Sequence, residues 1–264
     1  MTGNEVLARL SAALASRAGA YLYNPVRVGG RTCAVCATPV SGRTRCHKCD
    51  LHHHHDGRAD ATAFLTYAVS GQQSGYVMRG YKAPQPLAEH RTVVTLLAYV
   101  GLARHARCAP RLAGRAVTHW ATVPSLPAKP GPHPFHELIA PLAPGQEICL
   151  EAAACVEYAR AVRPDHFGVA GPRPEGAHVL LLDDTWTSGG HAQSAALTLH
   201  RAGAAWVSLL VAARWISTDY GDNRGFLRQL AARDYDPGRC PWTGGPCPPS
   251  ADDSRANQVA TERL

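Results

Sequence analysis

Apolar positions along the chain fall into two kinds of pattern. Val179 to Leu182 make an unbroken aliphatic run that ends in Asp183 and Asp184. A run without polar alternation suits a parallel strand covered on both faces, so a strand is predicted over 178–183. Trp206 to Ala213 and Val117 to Val123 are further apolar strand candidates. Over Ala61 to Ser70, Ala63, Leu65, Tyr67 and Val69 alternate with their neighbours, which predicts a strand closed by a turn from Gly71 to Gly75. Helical spacing appears over 4–18, with Val6, Leu7, Leu10, Leu14 and Ala15 on one side. It appears again over Leu87 to Leu102, over Ala192 to Ala202 with Gly203 as its stop, and over Phe226 to Ala232. Glu147 to Tyr158 suits strand or helix, with 152–161 favouring helix, and Pro132 to Leu138 reads as a Pro-rich loop.

The junction after the 178–183 strand carries the densest chemistry. Thr187, Ser188, Gly189 and Gly190 fall where a strand turns into a helix, so unpaired amides and the positive end of the helix dipole face the sheet edge. Glycine lets backbone close on phosphate oxygens, and the two hydroxyls add donors. The adjacent acids have the wrong charge for a phosphate. They suit the hydroxyls of a ribose whose 5-phosphate lies in the turn.

Nine cysteines occur, and four are spaced as metal ligands: Cys33-Ala-Val-Cys36, nine residues, then Cys46-His-Lys-Cys49. Two such knuckles present four thiolates to one ion, which predicts a structural Zn2+ site with no open coordination position. His52 to His55 read as a solvated linker, with metal binding as the alternative. Cys240 to Cys247 reads as a rigid surface loop, with a metal or another subunit as alternative partners, and Ser250 to Leu264 as a polar tail.

Asp183-Asp184-x-x-Thr187-Ser188-Gly189 after an aliphatic strand resembles the PRPP-binding signature of type I phosphoribosyltransferases. The four-cysteine ribbon, with Tyr81-Lys82 ahead of a helix, is similar to the ComF-type (competence protein F-like) branch, and the resemblance covers about residues 33–213. It implies the type I phosphoribosyltransferase fold, a mainly parallel twisted sheet flanked by helices, with a small N-terminal zinc ribbon. It implies that Asp183 and Asp184 are catalytic, holding the ribose 2- and 3-hydroxyls, and that Thr185, Thr187, Ser188, Gly189, Gly190 and His191 surround the 5-phosphate. Lys82, Arg79 and the His133/His136 loop are then the candidates for the pyrophosphate side, Pro124 and Ser125 also bind substrate, and Mg2+ accompanies PRPP. The chain departs from the family at His191, where Thr or Ser is usual. It departs also at Pro132-His133-Pro134-Phe135-His136, where an Arg-Gly-Phe-Asn-like segment is expected and histidine replaces arginine. The implied reaction transfers phosphoribosyl to a nitrogen acceptor with release of pyrophosphate. The alternatives are a non-catalytic PRPP- or nucleotide-binding or DNA-associated protein, and a redox or metal-handling protein built on the cysteines and histidines.

At 264 residues and 45% hydrophobic content the chain has room for one α/β core and something smaller. The expected division is an N-terminal helix and linker over 1–30, the ribbon over 31–56, the main domain over 57–214 and an extension over 215–264. Residues 1–20 have neither a basic start before an apolar core nor a span-length apolar run, which predicts a cytoplasmic protein without a membrane partner. A net charge of +7 favours anionic partners, phosphorylated sugar or nucleic acid, and leaves a homo-oligomer open.

Overall fold

Local signals start the first helix: the Thr2 hydroxyl accepts from the Glu5 amide while the Glu5 carboxylate accepts from the Thr2 amide, a reciprocal cap on α1 (Gly3–Ala18). The computed structural model describes residues 2–221 and 223–249, so the tail read over Ser250 to Leu264 lies outside the described residues. After α1 come the ribbon with α2 (His47–His52), β1 (Ala61–Val69), α3 (Gln73–Gly80), α4 (Ala88–His105) and α5 (Cys108–Ala113). β2 (His119–Thr122), α6 (Pro134–Ile139), β3 (Gln146–Glu147), β4 (Cys149–Ala152) and β5 (Phe167–Ala170) follow. The chain continues through β6 (His178–Trp186), α7 (Gly190–Arg201), β7 (Trp206–Ile216) and α8 (Asn223–Leu230).

Five strands form one sheet in the order β1-β7-β6-β2-β3, all pairs parallel, while β4 and β5 form a separate antiparallel pair. Alternation along β6 divides the core in two. Leu180 and Leu182 pack on α1, α3, α4, α5 and α6, whereas Val179 and Leu181 pack on α7, α8, the ribbon and the β4/β5 pair. Both faces are therefore covered, which is why the strand is aliphatic throughout; each fully buried leucine contributes about 1.5–3 kcal/mol.

Four expectations need correction. The turn placed over Gly71 to Gly75 is shorter, because α3 begins at Gln73; Gly75 lies inside it, where a Cβ would overlap the Val69 carbonyl. Residues 152–161 form no helix: Ala152 ends β4, which pairs with β5 from Cys149↔Ala170 to Ala152↔Phe167 and buries Leu150 and Phe167, and 153–161 follow as turns and bends. Pro132 to Leu138 is not all loop, since Pro134 sits in the first turn of α6, the His133 ring accepts from the Phe135 amide, and Phe135 and Ile139 are buried. Nor is 52–55 wholly a solvated linker, because His52 ends α2 and is buried.

Connections leave β6 and β2 toward opposite faces, β6 into α7 on one side and β2 toward α6 on the other. A crevice at the carboxyl edge between such strands is where open α/β sheets take ligands.

Candidate functional site

β6 carries Asp183 and Asp184 to that edge, and alternation sends them to different faces. Both are nearly buried, at 9% and 5% exposure. Asp184 meets the end of α3: its Oδ2 accepts from the Tyr81 hydroxyl at 2.6 Å and pairs with the Lys82 Nζ at 2.5 Å. Asp183 Oδ1 accepts from the Asp184 amide at 2.8 Å.

The two carboxyls ionise differently. Burial, reinforced by the neighbouring Asp184 charge, pushes the Asp183 carboxyl up to about 8. Burial also opposes the Asp184 charge, but Lys82, His133 and the hydrogen bonds from Lys82 and Tyr81 outweigh it and hold that carboxyl below its usual range. Burial and the Asp184 charge raise the Tyr81 hydroxyl, which therefore stays a donor.

The turn after β6 is held by its glycines. Gly189 has φ +88°, and a Cβ there would overlap the Trp186 ring; a Cβ at Gly190 would overlap the Arg160 carbonyl oxygen. Trp186 is itself fixed edge-on to Phe64, centroids 5.6 Å apart. Gly190 opens the 12-residue α7, whose first amides thus face the crevice.

Asp183, Asp184, Thr185, Thr187, His191, Arg79, Lys82, Pro124 and Ser125 line a cleft of about 570 Å³. Ser188, Gly189 and Gly190 join Asp183, Thr185, Thr187 and His191 around an adjoining cavity of about 350 Å³. The structure thus brings together the residues that the sequence placed around the sugar phosphate, with the exception of His136. Thr185 lines both spaces, and its buried Oγ1 has no protein hydrogen-bond partner; such an atom is costly unless something else satisfies it. Burial lowers the His191 pKa from its usual value.

On the opposite side, His133 and Lys129 line the cleft with Lys82, while His136 does not: it is 2.6 Å from Glu147 and stacked on Trp120. Burial chiefly lowers the His133 pKa from its usual value, against the raising effect of the Asp184 charge. Arg79 lies over the Trp215 ring at 4.3 Å. Arg160 and Lys129 were missed as site residues. Arg160 sits in a stretch without regular structure, where spacing carries no signal; Lys129, one of three lysines in the chain, had scarcity as its only mark.

Behind the turn, Cys33, Cys36, Cys46 and Cys49 converge with all four sulfurs within 4.8 Å of one another, and the Cys36 and Cys46 sulfurs are 3.6 Å apart. Tetrahedral thiolates at about 2.3 Å from Zn2+ lie about 3.8 Å from each other, so the cluster fits a closed structural metal site. It faces the sheet through the Tyr67 hydroxyl, which donates to the Ala37 carbonyl at 2.7 Å. Among the described residues no helix is long and apolar enough to cross a membrane.

Neither the comparison with protein-family models nor that with curated proteins finds a match. The cleft holds two carboxyl groups, Asp183 and Asp184, and four cationic side chains, Arg79, Lys82, Lys129 and Arg160, and the glycine turn lines the cavity beside it.

Proposed function

We propose that the cleft binds PRPP or a ribose 5-phosphate moiety and transfers the phosphoribosyl group to a nitrogen acceptor. The observation that carries this reading is a pair of adjoining spaces: Asp183, Asp184 and Thr187 line the larger cleft with Arg79, Lys82, Lys129 and Arg160, and Asp183 and Thr187 also line the smaller cavity with Ser188, Gly189 and Gly190. A polyol ring with an anion at each end matches that distribution of charge. The resemblance to ComF-type phosphoribosyltransferases and to their type I fold supports the same reading.

In the reaction, the acceptor nitrogen's lone pair bonds to the anomeric carbon and the C–O bond to pyrophosphate breaks. Pyrophosphate keeps that electron pair, and the nitrogen loses its proton. Asp184 and Asp183 orient the ring hydroxyls, the Asp184 charge favours positive charge on the sugar, the glycine turn fixes the 5-phosphate, and Lys82, Lys129 and Arg79 meet the departing charge. Mg2+ would enter with the diphosphate and offset its charge. Titration calorimetry of the full chain with PRPP and Mg2+ tests the proposal, with saturable binding expected. No heat with either PRPP or ribose 5-phosphate overturns it.

One observation favours a second reading, binding without transfer. His133 stands where the family's arginine is expected, and burial lowers its affinity for a proton, so it stabilises a leaving diphosphate less than a fixed guanidinium does. Such a module acts as a PRPP or nucleotide sensor or, given the +7 charge, alongside DNA. PRPP binding without pyrophosphate release across base and amine acceptors supports it. Salt-dependent single-strand DNA binding would support its DNA-associated form.

A further inference from the structure

Far from the cleft, four side chains from opposite ends of the chain meet. His105 is the last residue of α4, Cys108 the first of α5, and Cys240 and Cys247 bracket the turn Pro-Trp-Thr-Gly-Gly-Pro. One ligand atom from each lies within 4.8 Å of all the others. The Cys108 and Cys240 sulfurs are 3.7 Å apart, and the His105 Nδ1 is 3.4 Å from the Cys247 sulfur and 4.0 Å from that of Cys108. These separations are close to the edges of a tetrahedron with Zn–S of about 2.3 Å and Zn–N of about 2.0 Å, which run to about 3.5–3.8 Å.

We propose that His105, Cys108, Cys240 and Cys247 form a second structural zinc site, with three thiolates and one imidazole. Two features beyond proximity support it. The other ring nitrogen of His105, Nε2, lies 3.3 Å from the Pro237 carbonyl oxygen. A proton on Nε2 donated to that oxygen leaves the Nδ1 lone pair directed at the sulfurs, the usual way a ligating histidine is oriented. The turn is also built to hold its two cysteines: the Cys240 amide donates to the Gly245 carbonyl at 2.9 Å, the Gly244 amide to the Cys240 carbonyl at 2.8 Å, and Gly244 has φ +75°. Arg111 of α5 reaches across to the Pro248 carbonyl at 2.8 Å.

The donor set identifies the ion. Three soft thiolates and one imidazole in a closed tetrahedron suit Zn2+ over hard cations, and the absence of a fifth group within reach among the described ligands makes the role structural. Residues 231–249 form neither helix nor strand, yet they carry the buried Tyr235, Cys240 and Trp242 against α4 and α5. A metal there clamps this segment to the helix pair across 132 residues of sequence. Cys240 to Cys247 is thus not the surface loop that its composition suggests; Cys240 is 1% exposed.

The test is elemental analysis of the purified full chain. Two zinc ions per chain are expected, falling to one in Cys240→Ser and one in Cys33→Ser, with His105→Cys keeping two. Should Cys240→Ser fail to fold, stepwise mercurial titration of the unmodified protein still decides, with release of two equivalents expected. One equivalent only, or a Cys108–Cys240 disulfide found by non-reducing mass spectrometry, overturns the proposal.

Discussion

The Arg214 guanidinium donates to the carbonyl oxygen of Cys36 at 3.1 Å, tying the ribbon to the carboxyl end of β7. It also donates to the carbonyls of Trp186 and Thr187, each at 3.1 Å, and to the Thr38 hydroxyl. One buried cation therefore joins the four-cysteine cluster to the turn that opens α7. A lysine keeps the charge but cannot reach all of these acceptors. Arg214→Lys is expected to cost about 1–3 kcal/mol of stability, since buried carbonyls lose their donors. It should also quicken zinc loss to a chelator. Thermal unfolding and chelator kinetics both unchanged would show that the ribbon and the turn are independent.

Gly190 tests the turn without altering any charge. A methyl group there meets the Arg160 backbone oxygen, which cannot swing away as a side-chain tip can. Gly190→Ala is expected to lower affinity for ribose 5-phosphate about tenfold, roughly 1.4 kcal/mol, and to lower the melting temperature by a few degrees, about 1 kcal/mol in stability. Gly221→Ala, with φ +55° but open space around its Cβ, gives the cost of backbone strain alone. Equal effects of the two on ligand affinity would remove the turn from the site.

Asp183 makes a pH prediction. Its folded carboxyl is raised from 3.8 to about 8, so between those values the folded state binds more protons than the unfolded state. The stability that this group contributes is whole below about pH 4 and is lost as pH rises toward 8, at up to about 1.4 kcal/mol per pH unit. Asp184, held low, has the opposite sign and loses its contribution only in acid. Asp183→Asn should therefore gain stability over the unmodified protein as pH increases from 5 to 8. Parallel melting curves across that range would remove the raised carboxyl from the account.

The cleft was legible because its chemistry is contiguous: strand, acid pair, hydroxyls and glycines follow one another in 179–190, and periodicity placed each on its element. The same holds for Cys33 to Cys49, where each knuckle is local. What escaped was assembled by tertiary structure. Arg160 reaches the cleft from a stretch whose conformation is set by the β4/β5 ladder on one side and the Gly190 contact on the other. Half of the His105-Cys108-Cys240-Cys247 cluster lies at a helix junction and half in a turn more than 130 residues later; the first half has the two-residue spacing but only one cysteine, and six residues separate the two cysteines of the second.

Lys82 and Asp184 should separate the two ends of the ligand. Lys82 borders the large cleft and the space beside His133 but not the cavity at the glycine turn, so its charge acts on the side away from the 5-phosphate. Its side chain is a third exposed, but its loss leaves the nearly buried Asp184 carboxylate without its cation, so Lys82→Met is expected to cost about 3 kcal/mol of stability. Its effect on binding should depend on the ligand: a loss of about tenfold or more for PRPP with Mg2+, and little for ribose 5-phosphate, which has no diphosphate. Asp184→Asn removes the charge that the ring hydroxyls would meet and frees Lys82, so both ligands should weaken together. Calorimetry of two variants against two ligands reads this pattern directly. Equal losses of both ligands in Lys82→Met would place the lysine at the ring or the 5-phosphate, and the assigned direction of the sugar in the cleft would then be reversed.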